Sequence, residues 1–189
     1  LVDHPSRALR TAAVLVLRRM KSEKVALFLQ DKDEYIVAEA ARAINDDLSI
    51  EKALPALAAT LSEKRFLSEP LLRRGINACL RVGGEKEMDI LISFANRKDL
   101  PAPIRAEALA TLGGWASPSV LDRVDGRFRG KIDRDPALVT AKVRSLAIQI
   151  LQSKDAEILV AGAQMLSALN ISDYNEALVK LMQQHNEPS

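Results

Sequence analysis

Ile36-Val37-Ala38-Glu39-Ala40-Ala41-Arg42-Ala43-Ile44 can be laid over Ile104-Arg105-Ala106-Glu107-Ala108-Leu109-Ala110-Thr111-Leu112 with four of nine positions identical and aliphatic residues at both ends. The same frame fits Leu9-Arg10 with Ala13 and Leu17, Leu72-Arg73 with Ile76 and Leu80, and Val143-Arg144 with Ala147 and Leu151. Each frame has an aliphatic residue, usually an arginine beside it, a small or apolar residue four on and an aliphatic four later. Those intervals mark one helix face at period 3.6. The second residues of the frames, 10, 37, 73, 105 and 144, are 27, 36, 32 and 39 apart. Spacing of about one helix pair, repeated irregularly, predicts a solenoid rather than a closed bundle.

Other segments between the frames carry helical stripes of their own. Ser22 to Gln30, Ser49 to Leu61 and Glu85 to Asn96 are expected helices, with Ser22 and Ser49 as N-caps. Pro5, Pro118 and Pro136 lie near capping-type residues, Asp173 and Glu176 have capping-box spacing, and Gly83-Gly84 ends the third frame helix. Strand signals are nearly absent. The expected fold is all-α, a right-handed α-α superhelix of about five helix pairs, in which Ala13, Ala40, Ala108 and Ala147 let paired helices approach. The helix at residues 153–170 is left open as first or second of its pair.

Composition narrows the function. The 189 residues are 48% hydrophobic and 28% charged with a net charge of +2, which excludes low-hydrophobicity disorder. The apolar run Ala12 to Leu17 is far short of the roughly 18 residues a bilayer span needs. Cys79 stands alone, so a disulfide framework or cysteine-based zinc cluster is excluded, and it reads as a small buried hydrophobe. His4 and His185 sit at opposite ends without a visible acid–base partner, His4 exposed near a helix start. There is no G-x-S-x-G, G-x-x-x-x-G-K-[ST] or G-x-G-x-x-G motif. No catalytic, cofactor or metal site is expected in this chain. It opens on Leu rather than Met, and is expected to be a processed product or a piece of a longer array.

The frames resemble the HEAT-repeat family, whose helix pairs carry an Asp-rich turn followed by Val/Ile-Arg-x-x-Ala. The motif is clearest in Asp31-Lys32-Asp33 before Ile36 to Ile44 and in Pro103-Ile104-Arg105 to Leu112; Val37 departs from it by lacking the arginine. The resemblance covers residues 5 to 185 and implies one HEAT-like domain over residues 1–189 with an armadillo-like architecture. Residues 113–135 break the repeat as an insertion, with a short helix expected from Pro118 to Val124 and a turn at Asp125-Gly126. Residues 105 to 130, which run from the frame helix into this insertion, look like the HEAT-like region of large bacterial multidomain proteins carrying sorbosone/glucose-dehydrogenase-like and haem-binding modules. That likeness implies an exported, periplasmic or extracellular parent with oxidoreductase parts elsewhere; no C-x-x-C-H occurs here.

The implied function is a non-catalytic scaffold for another protein or for neighbouring domains of the same parent chain. Exposed residues of the frame helices, Arg42, Arg74, Asn77 and Arg81, and of the insertion, Trp115, Arg127, Phe128 and Arg129, are the expected partner-binding residues. The plain alternative is that Trp115 and Phe128 cover the core where the stack is interrupted. Asp31, Asp33 and Glu34 suggest a cation site only superficially and read as a solvated, helix-starting turn, as does Asp46-Asp47. Residues 1–30 and 64–84 each carry a net charge of +4, and residues 31–63 carry −5. An acidic band between basic ones, without stacking aromatics, favours complementary charge between neighbouring repeats over nucleic acid. Two rival classes are a bilin-lyase-type enzyme subunit, which needs convergent polar groups in a pocket, and a DNA-binding helical-repeat protein, which needs a continuous cationic groove.

Overall fold

The structure is a computed structural model that describes residues 1–46 and 50–185, with side chains through residue 180. Ser49 and Asp47, read above as cap and acidic turn, lie outside the described residues, as does the His185 side chain. The α-helices are α1 (Arg7–Arg19), α2 (Glu34–Asn45), α3 (Leu54–Ala59), α4 (Glu69–Val82), α5 (Glu85–Ala95), α6 (Ala102–Gly113), α7 (Ala137–Leu151), α8 (Ala156–Ala168) and α9 (Asn175–His185). Short 3₁₀ helices run Glu23–Gln30, Glu51–Ala53 and Thr60–Ser62. Among the described residues there is no strand, only an isolated antiparallel bridge between Leu121 and Phe128. The chain is all-α.

Side-chain caps start several of these helices. Ser6 Oγ accepts the Leu9 N–H at 3.4 Å, Asp33 accepts that of Tyr35 at 3.0 Å, and Asp155 that of Glu157 at 3.1 Å. Ser22 flanks the Glu23–Gln30 helix without a side-chain cap bond. The expected helix Ser49 to Leu61 is broken into three, because Pro55 occupies the first turn of α3 and supplies no N–H to an earlier turn. α4 stops at Gly83, whose N–H reaches Cys79 O at 3.0 Å. The Asp173/Glu176 capping box does not form: α9 begins at Asn175, and Asp173 instead pairs with Arg144.

The frame helices α2, α4 and α6 bury the face the spacing singles out, whereas in α1 Leu9 is exposed and Leu17 half-buried, with Arg10, Ala13 and Val14 turned inward. Ala13, Ala40, Ile76, Ala108 and Ala147 are all buried, together with Val37, where the frame lacks its arginine. Helices α1, α2, α4, α6 and α8 contact one another in that succession. The Glu23–Gln30 helix, α3, α5 and α7 lie against α2, α4, α6 and α8 respectively. The fifth frame is therefore displaced: α8, not α7, packs on α6, and α7 sits beside α5 and α8. The α6–α8 contact is close at Gly113, where a Cβ would lie 3.0 Å from Met165 Cα, so a larger residue there would press the two helices apart by a few tenths of an ångström.

Residues 114–136 form no helix, and the expected one from Pro118 to Val124 is absent. Asp122 is the reason. Its Oδ1 accepts the N–H groups of Val124 at 2.8 Å and Asp125 at 3.2 Å, turning the chain back on itself. Asp122 N–H then donates to Arg127 O at 2.8 Å, and Gly126 takes a φ of 71°, the turn read at Asp125-Gly126.

Candidate functional site

Five of the eight expected partner-binding residues converge where the C-terminal turn of α2, the middle of α4 and the 114–136 segment meet. Asn45 and Asp46, which the sequence reading did not single out as binding residues, are the hub on α2. Arg74 grips Asp46 with both carboxylate oxygens at 3.0 Å, and Arg42 lies 3.6 Å from the same carboxylate. Asn77 donates through Nδ2 to Asn45 Oδ1 at 2.8 Å and to Asp122 Oδ2 at 2.7 Å. Arg129 donates to Asp122 at 2.8 Å, to Asp125 at 2.6 Å and to the Asn45 carbonyl at 3.1 Å. Arg81 reaches the same carbonyl at 3.3 Å. The cluster latches the irregular segment onto two helices.

Burial sorts the expected residues into two groups. Asn77 is buried, and the Arg129 side chain is 6% exposed against a fully buried Asp122 carboxylate. Trp115 is fully buried rather than displayed: Arg134 stacks over its ring at 5.2 Å and donates to Trp115 O and Leu80 O. A large apolar ring at the point where α6 gives way to coil gains more from the core than from solvent. Arg74 and Arg81 are half-buried. Arg42, Arg127 and Phe128 face solvent, Phe128 at 70% exposure. The Leu121–Phe128 bridge places an exposed leucine beside that ring, because opposed residues of a bridge share one side.

The electrostatics fit a structural latch with an exposed rim. Burial alone would push the Asp122 carboxyl up, yet the Val124 N–H, the Asn77 amide, the Asp125 N–H and Arg129 hold it below the ordinary aspartate value. Burial and then the neighbouring Arg129 guanidinium lower Arg81, with Asp122 among the groups that oppose them. Arg129 Nη1 and Trp115 Nε1 are buried without a protein acceptor. Beside the latch, Tyr35, Glu39, Arg42, Pro70 and Arg74 line an open groove of about 590 Å³ between α2 and α4. It contains two carboxylates, Glu34 and Glu39, and two arginines, with Glu34 already committed to the Leu67 and Ser68 N–H groups and Arg74 to Asp46.

Groups elsewhere that carry reactive chemistry are mostly committed to the fold. Cys79 is fully buried, and burial pushes its thiol far above its ordinary value, which disfavours the thiolate. His4 is half-buried, not exposed, with Nδ1 accepting the Ser6 N–H at 3.1 Å. The acidic turn is not solvated as expected. Asp31 is buried against Arg10 at 2.7 Å, Asp33 caps α2, and Glu34 accepts the N–H groups of Leu67 and Ser68 at 2.6 Å each. Among the described residues no group of three or more His, Cys, Asp or Glu is placed to hold a metal ion. No described helix is long and apolar enough to cross a membrane. No protein-family model matches the chain, and no curated protein matches it in sequence.

Proposed function

We propose that the chain is a HEAT-type helical-repeat scaffold that presents the α2–α4 face and the Phe128 rim to another protein or a neighbouring domain. The observation carrying this reading is the span of the polar bonds that tie one helix step to the next. Arg74–Asp46 spans 28 residues, Asn77–Asn45 spans 32, Glu34–Ser68, Arg65–Asp31 and Arg73–Glu107 span 34, and Arg81–Asn45 spans 36. A chain that bonds to itself at nearly constant offset, helix after helix, is built of similar units stacked in order. Arg74–Asp46, and Arg10–Asp31 over a span of 21 residues, set arginines of the basic stretches against carboxylates of the acidic band, so part of the charge is spent on register between units. On this reading Arg42, Arg127 and Phe128 are the contact residues. Arg74, Asn77, Arg81 and Arg129 hold the surface that displays them.

Selection of a random peptide library on the folded chain, counter-selected with Arg42→Glu and Phe128→Ser, tests the reading. A scaffold returns peptides that one or both variants lose. A saturable shift of the visible band of added bilin or haem, or a salt-dependent gel shift with duplex DNA, overturns it in favour of the cofactor or nucleic-acid class. So does failure of the folded chain to enrich any peptide over a heat-unfolded control.

A further inference from the structure

A second cavity lies away from the α2–α4 face. It is a groove of about 850 Å³ between the C-terminal ends of α5 and α7, the second turn of α6 and the start of α8. Its floor is apolar: Leu109, Ile150 and Ile158 are buried beneath it. Its rim is cationic, with Lys98, Arg105 and Lys154. Asp155 is the one carboxylate in the lining, and it already accepts the Glu157 N–H as the cap of α8.

The groove stays open because a recurring plug is missing. After α3, Arg65 crosses to Asp31 O at 2.8 Å and stacks on Phe66, 4.1 Å from the ring centre. After α5, Arg97 crosses to the carbonyls of Leu61 at 3.5 Å and of Glu63 and Lys64 at 3.4 Å each, stacking on Phe94. After α7 the corresponding loop offers Gln152, Ser153 and Lys154, and α7 touches α5 only lightly. Lys154 and Lys98 make no hydrogen bond or ion pair among the described residues. Arg105 caps Ala95 O through Nε at 2.9 Å, and its two Nη groups bond to no atom of the described residues. Three cations with donors to spare thus surround an apolar floor.

We propose that this groove binds an acidic peptide segment, one that sets carboxylates against Lys98, Arg105 and Lys154 and an aliphatic side chain on Leu109, Ile150 and Ile158. The proposal rests on the scaffold reading and names a second docking site with its partner chemistry. Charge complementarity argues for the carboxylates. The apolar floor and the volume, within the roughly 300–1,000 Å³ of ligand sites, argue for a peptide over a small oxyanion. Extended peptides alternate their side chains, so carboxylates and an aliphatic anchor can face the rim and the floor together.

Fluorescence anisotropy with a short labelled peptide of alternating glutamate and leucine tests this, beside its glutamine–leucine counterpart. The expected result is saturable binding of the glutamate peptide, weakened at least about tenfold by glutamine replacement, by 0.5 M salt and by Lys98→Glu/Lys154→Glu. Arg42→Glu should leave it unchanged. Both lysines are exposed, so the double variant should keep the parent circular dichroism and melting curve, and Lys98→Gln/Lys154→Gln gives an intermediate affinity. No binding, equal binding of both peptides, indifference to the lysine variants, or displacement by polyphosphate or duplex DNA at equal charge overturns the proposal. If the library selection still returns Arg42-dependent peptides, only this site falls and the scaffold reading stands.

Discussion

Residues 7–112 and residues 114–136 are held to the molecule by different forces. In the first stretch, helices bury their stripes against neighbours, and each frame centre, from Ala13 to Ala108, is buried. Many of the polar bonds there span 28 to 36 residues, and the buried Arg10–Asp31 bond spans 21. In the second stretch the backbone makes no helix, so its N–H and C=O groups need other partners. Several find them within the segment, as the Val124 and Asp125 N–H groups do at Asp122 Oδ1 and the Arg129 N–H does at Val120 O, while the segment's side chains reach outward over 45 residues between Asp122 and Asn77, 54 from Arg134 to Leu80 O and 84 from Arg129 to Asn45 O. A repeating helical chain can be joined by apolar surface with polar side chains setting register. Where helix gives way to coil, the polar side chains carry the join, and Trp115 supplies the one large apolar anchor.

The sharpest way to break that contrast is to remove the carboxylate at the centre of the latch. Asp122→Ala leaves Asp125 on Arg129 but takes an acceptor from Arg129 Nε, the Asn77 amide and the Val124 and Asp125 N–H groups together, and should cost about 3–5 kcal/mol in urea unfolding. Proteolysis should then cut first within 114–136; a loss below about 1 kcal/mol would mean the latch does not hold the segment. Leu57→Ala is the matched deletion on the helical side. Truncating this fully buried leucine should cost about 2–5 kcal/mol without selective cleavage in 114–136. If both variants open the same segment, the two regions are not separately held.

Asn77→Ala should fall next, at about 1–3 kcal/mol, since it leaves Asn45 Oδ1 and Asp122 each one donor short. Acid titration separates the regions by sign. Asp122 is held below its ordinary value, so its contribution is present above the aspartate range and lost as pH falls through the lowered value. Burial raises Glu107 on α6 despite the pull of Arg73 and Arg123, so its contribution is present at low pH and lost as pH rises through the raised value. Stability against pH, measured for Asp122→Asn and Glu107→Gln, should flatten the acid limb in the first and the mildly acidic decline in the second. The smallest effect is expected at Arg42→Ala, 55% exposed, with stability changed by no more than about 0.5 kcal/mol while peptides selected on the α2–α4 face are lost.

Much of the helical half is legible in the residues. A helix face repeats every 3.6 residues whatever it packs on, so Ile36 to Ile44 and Ile104 to Leu112 announce both their helices and their buried alanines. Gly83 could be read as a terminator for the same local reason. The candidate site was legible only in part. Arg42, Arg127 and Phe128 are exposed as expected, but Trp115, Asn77 and Arg129 turn inward, because each meets groups distant in sequence. Asn45 carried no local mark of importance. The signal that points to Asp122 is the run Asp122-Arg123-Val124-Asp125-Gly126, whose first aspartate can close an Asx turn and so competes with the helix expected from Pro118.

What the sequence alone determined is the all-helical class, the frame helices and the face each one buries, because hydrophobic period and chain punctuation are local properties. Tertiary structure decided which helix lies against which. The fifth frame, Val143 to Leu151, has the same local pattern as the others, yet α8 takes the place beside α6. That choice depends on the 114–136 segment folding back onto Asn45 and Asn77 and on the close approach at Gly113, neither of which leaves a periodic trace in the chain.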